Sequence, residues 1–381
     1  MEKLYNFLLE LTFKDKKPSK QEIKNAIFRI SDIFKNAEDS LPLNYMRDEE
    51  LLKGYLLYFV PLTLSKIRSL FCELLMHPQV FDKKDIKIVD IGCGPAPAVV
   101  AILDVISNYR RQLQYIRYVG IEQEEKAIKV GEKLIKNSSV KGLSLNFNFI
   151  NASAANIKVY NQLRELNPDI MIFSNSVGEL FDKNEISKED FLSFIRPFTY
   201  KNPEFTIIIV EPGTKKASMR LHSLRDELIK EFNFYPYSPC LNDLPCAALK
   251  VNNWCYEERR WASPEYLKFL SAVGLQINYL KFSYCILRKD KINISDTFEW
   301  QGEIVKNTSH LLNEKGKSRL WACWRGELID MEKLKRDFSE KESWLSIRKG
   351  SYFSIDKYKF LSDKKVRIPK DCYIKILHNP D

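Results

Sequence analysis

Several common features are missing from this 381-residue sequence, and each absence narrows what the protein can be. No run of about 18 apolar residues exists, so no transmembrane helix is predicted. The nearest candidate, residues 55–64, is too short and contains Pro61. The amino-terminal stretch MEKLYNFLLELTFKDKK has early acidic residues and no small-residue cleavage site, which argues against a signal peptide or an organelle presequence. We therefore expect a cytoplasmic protein that does not bind membranes, with a mitochondrial location left open.

A dinucleotide-binding loop is also missing, although a related glycine loop is present. Residues 86–106 are typical of a buried β-strand, a tight loop with Gly92 and Gly94, and an apolar helix from about Ala98. The glycines let the backbone approach a ligand, and the helix amino terminus offers unpaired N–H groups. An NAD or FAD loop needs a third glycine, where this chain has Pro97. The loop therefore predicts another nucleotide-type ligand, or else a plain turn between strand and helix.

The same loop resembles motif I of the class I S-adenosylmethionine-dependent methyltransferases. It has the form D-x-G-x-G-x-A, with Asp90, Gly92 and Gly94 in the first three positions. Ala96 stands where that motif usually has glycine. The resemblance implies a Rossmann-like sheet that binds S-adenosylmethionine, with these three residues in contact with the cofactor.

Four more segments with the character of buried strands follow the loop, and helical segments separate them. They lie at residues 118–121, 143–157, 168–180 and 205–214. Five alternating β and α units predict a doubly wound α/β sheet of the class I methyltransferase type.

Polar residues stand where these strands end, which is where open α/β sheets bind their ligands. Glu122 follows the second strand and is expected to accept hydrogen bonds from ribose hydroxyls; an acidic helix cap is the alternative. Ser153 follows the third strand, at the place of adenine-ring contacts, and Asn175 follows the fourth. Ordinary turn residues are the alternative for both. The predicted cofactor-binding residues are Asp90, Gly92, Gly94, Glu122, Ser153 and Asn175, and no catalytic residue is predicted.

The eight cysteines are expected to be free thiols, because a cytoplasmic protein keeps its cysteines reduced. Cys240, Cys246 and Cys255 form a C-x5-C-x8-C pattern in a loop rich in proline, asparagine and aromatic residues. Thiolates clustered on a loop are typical of zinc or of an iron–sulfur cluster. The C-x2-C pairs of zinc ribbons are missing, so the spacing does not favour zinc. A fourth ligand would be Cys285, Cys323, Cys372 or a histidine.

Six segments occur in a characteristic order along the chain. They are VDIGCGP, NSVGEL, IVEPGT, Arg220 with Arg225-Asp226-x-Leu228, the cysteine segment, and FSYCILRK. Over roughly residues 50 to 350 this set resembles the methyltransferase-like proteins of small ribosomal subunit assembly, which occur in mitochondria and bacteria. The resemblance implies an S-adenosylmethionine site and a four-cysteine [4Fe–4S] cluster on Cys240, Cys246, Cys255 and, from the carboxyl-terminal region, Cys323. It also implies that the partners are the small ribosomal subunit and its rRNA rather than DNA.

The chain is expected to have three parts. Residues 1–80 have apolar residues at helical spacing, residues 81–290 form the methyltransferase-like domain with an inserted cysteine loop (240–255), and residues 291–381 form a small, basic, β-rich domain. From residue 288 onwards, 21 Lys and Arg face 15 Asp and Glu. Aromatic residues are interleaved with these charges and would either be exposed for RNA binding or form the domain's core. They are Trp321, Trp324, Trp344, Tyr352 and Phe353.

Three functions are compatible with these features. The first is a methyltransferase-like protein that binds S-adenosylmethionine and acts on the small ribosomal subunit or its rRNA. Methyl transfer from a sulfonium needs mainly positioning, so the absence of an N-P-P-Y acceptor motif and of a suitably placed Pro-Cys nucleophile does not exclude it. The second is a non-catalytic ribosome assembly factor with the same fold. The third is an RNA-binding protein in which zinc replaces the cluster.

Overall fold

The computed structural model describes residues 1–14, 16–36, 45–109, 112–182, 185–275, 277–300, 302–339 and 342–380. The chain divides into two compact units, which are described separately. The first contains Met1–Ile209 and Arg260–Leu280, and the second contains Val210–Arg259 and Lys281–Asp381. The domain boundaries expected near residues 80 and 290 stay predictions. Among the described residues, no helix is long and apolar enough to cross a membrane.

The first unit begins with helices, as predicted. They are α1 (Glu2–Phe13), α2 (Lys20–Asn36), α3 (Glu49–Gly54) and α4 (Val60–Leu74). Asp48 caps α3, because its carboxylate accepts hydrogen bonds from the N–H groups of Glu50 and Leu51. The buried faces of these helices are apolar, with Leu8, Ile27 and Leu70 fully enclosed.

One π-helical turn, Tyr55–Phe59, joins α3 to α4. Pro61 explains it, because proline has no N–H to donate to the carbonyl of Leu57, four residues earlier. That carbonyl accepts a hydrogen bond from the Tyr266 hydroxyl instead, at 3.0 Å. The N–H of Val60 bonds back five residues to Tyr55, which is the π pattern. The proline therefore widens the helix rather than ending it.

A parallel sheet follows and forms the core of the first unit. Its strands are β1 (Asp85–Ile91), β2 (Tyr115–Glu122), β3 (Ser144–Asn151), β4 (Ile170–Ser174) and β5 (Thr206–Pro212), in the order β3-β2-β1-β4-β5. β1 pairs in parallel with both β2 and β4, and β2 pairs in parallel with β3. The connecting helices are α5 (Pro97–Tyr109), α6 (Glu125–Asn137), α7 (Ile157–Leu166), α8 (Val177–Asp182) and α9 (Lys188–Thr199). This order is the doubly wound α/β fold that the sequence predicts.

The first helix of the second unit is α10 (Lys215–Phe232), which starts directly after the EPGT segment and is capped by Thr214. The elements that follow are β6 (Tyr235–Ser238), α11 (Ala247–Lys250), β7 (Glu257–Arg260) and β8 (Tyr279–Arg288). β6 and β8 are antiparallel, and β7 also pairs with β8. The cysteine segment lies between β6 and β7.

A second sheet completes this unit, in agreement with the predicted β-rich carboxyl-terminal part. Its strands run in the order β14-β15-β12-β11-β9-β13-β16, and β10 pairs with β11. They are β9 (Glu303–Asn307), β10 (Leu312–Glu314), β11 (Lys317–Trp324), β12 (Glu327–Leu334), β13 (Tyr352–Ile355), β14 (Lys359–Ser362), β15 (Lys365–Ile368) and β16 (Ile374–His378).

The core of this sheet decides between the two expectations for its aromatic residues. Trp324, Trp344 and Phe353 belong to the buried cluster, together with Val305 and Leu320. Tyr352 is also fully buried, and only Trp321 of the five predicted aromatics is partly exposed. The core interpretation is therefore correct for four of them. β13 is buried on both of its faces, so the adjacent side chains of Tyr352 and Phe353 are both enclosed.

Candidate functional site

A pocket in the first unit lies at the carboxyl ends of β1, β2 and β4, where an open α/β sheet binds its ligands. Four of the six predicted cofactor-binding residues line it: Gly92, Glu122, Ser153 and Asn175. Asp90 and Gly94 are not among its lining residues. The strand ends thus bring most of the predicted residues together, and their roles toward a ligand stay predictions.

Both glycines of the loop after β1 adopt a left-handed backbone conformation, which favours glycine. Gly92 has a φ of 69°, and a Cβ atom added to it would come within 2.7 Å of the Cβ atom of Ser176. Gly94 has a φ of 54°, and its N–H donates a hydrogen bond to Oε2 of Glu122 at 2.9 Å. The loop is therefore packed tightly on one side and tied to the end of β2 on the other.

Glu122 holds two backbone amides and also faces the pocket. Its Oε2 atom accepts from Gly94, and its Oε1 atom accepts from the N–H of Glu124 at 2.9 Å, next to the start of α6. The helix-cap interpretation of Glu122 therefore describes a real contact. A carboxylate has about four acceptor positions, so two amides leave room for the ribose hydroxyls of the other interpretation. Burial raises the pKa of Glu122, and the two amides oppose this effect.

Asp90 is buried beside the pocket rather than in it. Its Oδ2 atom accepts a hydrogen bond from the Tyr118 hydroxyl at 3.0 Å, and its Oδ1 atom has no partner among the described residues. Burial raises the pKa of Asp90 to about 7, and the hydrogen bond from Tyr118 works against the rise.

The turn after β4 presents a compact set of polar groups. Asn175 adopts a left-handed backbone conformation with a φ of 58°, which asparagine tolerates better than most residues. Ser176 follows it, and its buried Oγ atom has no hydrogen-bond partner among the described residues. Both residues and Glu179 line the pocket. A buried hydroxyl without a partner is costly, so this turn is suited to contact a polar ligand.

The charge of the lining indicates the class of ligand. Four glutamates line the pocket, and no Lys, Arg or His among the described residues does so. The glutamates are Glu122, Glu124, Glu179 and Glu185. This surface would repel the phosphates of a dinucleotide and favour a ligand with positive charge. S-adenosylmethionine fits, because its sulfonium and ammonium groups are both cationic.

Residues from the amino-terminal helical region also line the pocket, and sequence reasoning did not assign them to it. Tyr45, Met46 and Tyr55 reach it, with the two tyrosine rings 5.7 Å apart between centroids. Burial raises the pKa of both tyrosines. The Nε N–H of Arg47 donates to both carboxylate oxygens of Glu124, at 2.9 and 3.1 Å. The signal for these residues was present only as a cluster of aromatic residues near position 55.

A second candidate site lies entirely within the second unit. Five cysteines line one cavity, namely Cys240, Cys246, Cys255, Cys285 and Cys323. The cavity thus includes all four predicted ligands and one of the alternatives for the fourth. Cys372 belongs to the core of the second sheet instead.

Strand alternation explains why Cys323 faces this cavity. In β11, Leu320, Ala322 and Trp324 point into the core of the sheet, while Trp321 and Cys323 lie on the opposite face. Both of these line the cavity. Cys285 lies in the buried strand β8, as expected, and reaches the cavity as well.

Hydrogen bonds fix the backbone of the cysteine segment. The N–H of Cys246 donates to the carboxylate of Asp226 at 2.9 Å, and Asn293 donates its amide to the carbonyl of Cys240 at 2.8 Å. The carbonyl of Cys255 accepts from the hydroxyl of Ser283 at 2.8 Å. Burial lowers the pKa of His222, which contacts the backbone of Cys255, to about 4, so this imidazole is neutral. The irregular loop is thus held from several sides.

Burial and the neighbouring thiols both raise the pKa values of cysteines in this cavity. Burial raises the pKa of Cys246 to about 11, and the neighbouring Cys240 adds to the rise. Burial likewise raises the pKa of Cys323 to about 12, with contributions from Cys240 and Cys246. Without a metal these thiols would be protonated, whereas a bound metal would displace their protons.

The arrangement of the thiols bears on the kind of metal. Within the described ranges, no three His, Cys, Asp or Glu side chains are arranged to hold a metal ion. A cubane cluster and a zinc ion can both be held by four cysteine thiolates. The kind of metal that this cavity would bind therefore stays a prediction.

Comparison with known proteins bears on both sites. Residues 50–327 match the family model described as Rsm22, mitochondrial small ribosomal subunit Rsm22. This match covers most of the chain. The chain belongs to the Rsm22 family. The matched region includes the glycine loop, the turn after β4, and all four predicted cysteine ligands of this Rsm22-family chain.

Solved structures similar to this Rsm22-family chain, at low similarity, include methyltransferases. Precorrin-6y C5,15-methyltransferase from Geobacter metallireducens is 13% identical, with 56% of this chain and 84% of that chain covered and a TM-score of 0.32. An O-methyltransferase family protein from Burkholderia thailandensis is 9% identical, with 71% and 69% covered and a TM-score of 0.37. TYW2 from M. jannaschii, in complex with AdoMet, is 10% identical, with 58% and 74% covered and a TM-score of 0.28. These scores are low, and the fold rests on the strand order of the chain itself. No curated protein matches the chain in sequence.

Proposed function

We propose that this Rsm22-family chain binds S-adenosylmethionine, carries a [4Fe–4S] cluster, and acts on the small ribosomal subunit through its rRNA. The observation that carries the proposal is the pairing of an acidic pocket at the strand ends with a cavity lined by the four predicted cysteine ligands. The name of the family points to the small ribosomal subunit as the partner.

In the pocket, each part of the cofactor would meet a suitable group. Glu122 has acceptor positions for the ribose hydroxyls, and Ser153 and Asn175 would contact the adenine and the methionine end. Bound S-adenosylmethionine supplies an electrophilic methyl group on a positively charged sulfur. The chain contributes position and exclusion of water, with Tyr45 and Tyr55 covering the pocket from the helical region. No residue of the described part is assigned as a catalytic acid or base.

Ala96 gives little support to the non-catalytic alternative. Its methyl group stands where methyltransferases usually have glycine, and a methyl group that projected into the pocket would crowd the ligand. In the structure Ala96 is fully buried and is not among the residues that line the pocket. The missing acceptor motif is the remaining argument for an assembly factor without catalysis.

The edge of the second sheet supports RNA as the partner. β14 is an edge strand, and all four of its residues are exposed. The ring of Phe360 is 49% exposed and lies nearly parallel to Trp324, at 15° and 5.9 Å. Lys359 and Lys364 are exposed beside it and form no ion pair with a described residue. An exposed ring flanked by cations suits a nucleobase with its phosphates.

The first test measures iron, acid-labile sulfide and zinc after anaerobic purification. We expect about four irons and four sulfides per chain, and a loss of most of them in Cys323→Ser. Cys372→Ser is the matched control, because Cys372 belongs to the same unit but lies in the core of its sheet. About one zinc per chain instead would disprove the cluster, and equal losses in both variants would disprove Cys323 as a ligand.

The second test asks whether the pocket supports methylation. Small-subunit rRNA from cells that lack the protein is mapped for methyl marks after complementation with wild type or with Gly92→Ala. We expect a mark that wild type restores and Gly92→Ala does not, since the added Cβ atom meets Ser176. Gly274→Ala controls for backbone strain, because Gly274 also has a positive φ but has nothing within 4 Å of the added atom. A pattern of marks that is the same with and without the protein would favour the assembly factor.

A further inference from the structure

The cysteine cavity is lined by cations and by N–H donors as well as by thiols. Arg225 and Lys306 both line it and both are buried, at 2% exposed each. No Asp or Glu of the described chain lines the cavity. Each cation is paired with a carboxylate that is not among the lining residues, Asp226 for Arg225 and Glu257 for Lys306. The two ion pairs therefore turn their positive ends toward the cavity.

Lys306 is placed by sheet register. It lies on β9 directly opposite Cys323 on β11, so the two side chains leave the same face of the sheet about 5 Å apart at their origins. Its ammonium donates to the carbonyl of Gly350 at 2.6 Å, contacts Glu257 at 3.1 Å, and sits 4.1 Å above the ring of Tyr352. Three contacts thus hold the buried Lys306 side chain at the position opposite Cys323.

Arg225 organises the segment that carries the first two cysteines. Its guanidinium donates to the carbonyls of Asn242 and Leu244, at 2.6 Å each, and to Asp226 at 2.5 Å. One of its donors, the Nε N–H, is buried and has no partner among the described residues. The Nε1 N–H of Trp254, another lining residue, is buried and without a partner in the same way. Buried donors of this kind are costly unless a ligand accepts from them.

We propose that Arg225, Trp254 and Lys306 form an electropositive shell that compensates the charge of the cluster and holds its reduction potential up. The inference rests on the proposed cluster. Four thiolates around a [4Fe–4S]²⁺ core carry a net charge of two minus, and reduction adds another negative charge. Nearby cations and N–H groups directed at sulfur stabilise the more negative, reduced form, which raises the potential. The shell also explains how a buried cavity accommodates an anion at all.

The sharpest test is Trp254→Phe, which removes one N–H donor and keeps an aromatic ring. Potentiometric titration followed by electron paramagnetic resonance gives the midpoint potential of the cluster. We expect the ratio of reduced to oxidised cluster at a fixed potential to fall about tenfold, a midpoint about 59 mV lower for one electron. Trp300→Phe is the matched control, because Trp300 also has a buried N–H without a partner but does not line the cavity.

A second pair of variants tests the charge. Arg225→Gln removes a cation from the cavity, and Arg220→Gln removes one from the same helix that pairs with Glu211 and does not line the cavity. We expect Arg225→Gln to lower the midpoint by at least as much as Trp254→Phe, and Arg225→Lys to recover part of it.

The outcomes separate this inference from the function on which it rests. A wild-type chain without iron and sulfide would disprove the cluster and the shell together. A full complement of iron and sulfide, with the same midpoint in wild type, Trp254→Phe and Arg225→Gln, would disprove the shell alone. If Arg225→Gln fails to fold, Trp254→Phe still decides the matter.

Discussion

The pocket of the first unit and the cavity of the second are opposite in charge. Four glutamates and no described cation line the pocket, whereas Arg225 and Lys306 and no described carboxylate line the cavity. The lining of the pocket thus suits a cationic ligand, whereas the lining of the cavity suits an anionic group. Net charge does not reveal this difference, because +10 for the whole chain averages over both sites. Local lining, rather than overall charge, identifies the ligand class.

The largest effect that we expect concerns the acidic pocket and is a change of stability with pH. It comes from Asp90, the buried carboxyl beside the pocket. Its pKa is 3.8 when unfolded and about 7 when folded, so between these values the folded chain binds more protons and its stability falls as pH rises. From pH 5 to pH 8 this costs about 3 kcal/mol, at about 1.4 kcal/mol for each pKa unit. We expect urea unfolding to show that wild type loses about this much more stability over the interval than Asp90→Asn.

Tyr118→Phe provides the companion variant. It removes the hydrogen bond that lowers the pKa of Asp90, so the pKa should rise further and the loss of stability should extend to higher pH. A wild-type chain whose stability follows pH in parallel with Asp90→Asn would show that this carboxyl does not titrate in the interval.

An effect of intermediate size tests whether the acidic lining of the pocket distinguishes ligands by their positive charge. Glu179→Gln removes one charge from the pocket, and S-adenosylhomocysteine lacks the charged sulfonium of S-adenosylmethionine. By calorimetry we expect Glu179→Gln to weaken S-adenosylmethionine about tenfold, which is about 1.4 kcal/mol, and to leave S-adenosylhomocysteine nearly unchanged. Glu122→Gln should weaken both ligands alike, because both carry the ribose. Equal losses for both ligands in Glu179→Gln would show that Glu179 does not recognise the sulfonium charge, because S-adenosylhomocysteine keeps only the ammonium group.

The smallest effect concerns the glycine loop itself. Ala96 has a φ of 56°, a left-handed conformation that costs a residue with a Cβ atom about 1 kcal/mol. Ala96→Gly should therefore raise the free energy of unfolding by about this amount, less the contribution of the buried methyl group. Lys291→Gly, at an exposed left-handed position with a φ of 61°, measures the strain without the burial. A loss of stability in Ala96→Gly alone would show that the methyl group matters more than the strain.

The sequence predicted the parts of the pocket that follow from local pattern. The five strands, the glycine loop and the polar residues at the strand ends are each visible in a short window, and parallel topology then brings those ends to one edge. Tyr45 and Tyr55 were not assigned to the pocket, because their position depends on how the helical region packs on the sheet. Asp90 was also assigned to the cofactor; its carboxyl is buried and is not among the lining residues, and its role toward a ligand stays a prediction.

The residues of the cavity were also predicted only in part, because several of them are far apart in the sequence. Three cysteines were visible as a cluster, and a family resemblance was needed to select Cys323. Lys306 had no signal of its own, because only the antiparallel register of β9 and β11 places it opposite Cys323. For the aromatic residues of the second sheet, alternation in sequence left open which face would be covered. The faces were decided by tertiary packing, which buried four of the five.

The π-helical turn at Tyr55–Phe59 affects the direction in which side chains on either side of it leave the helix. An α-helix turns by about 100° for each residue, and a π turn accommodates one residue more than the regular helix. The extra residue therefore sets the angle at which Tyr55 leaves the helix relative to α4. A deletion of one residue within this turn would rotate Tyr55 by about 100° relative to the apolar face of α4 and so turn it away from the pocket. Loss of a single residue at this position would thus leave the helices of the amino-terminal region in place and remove Tyr55 from the ligand pocket.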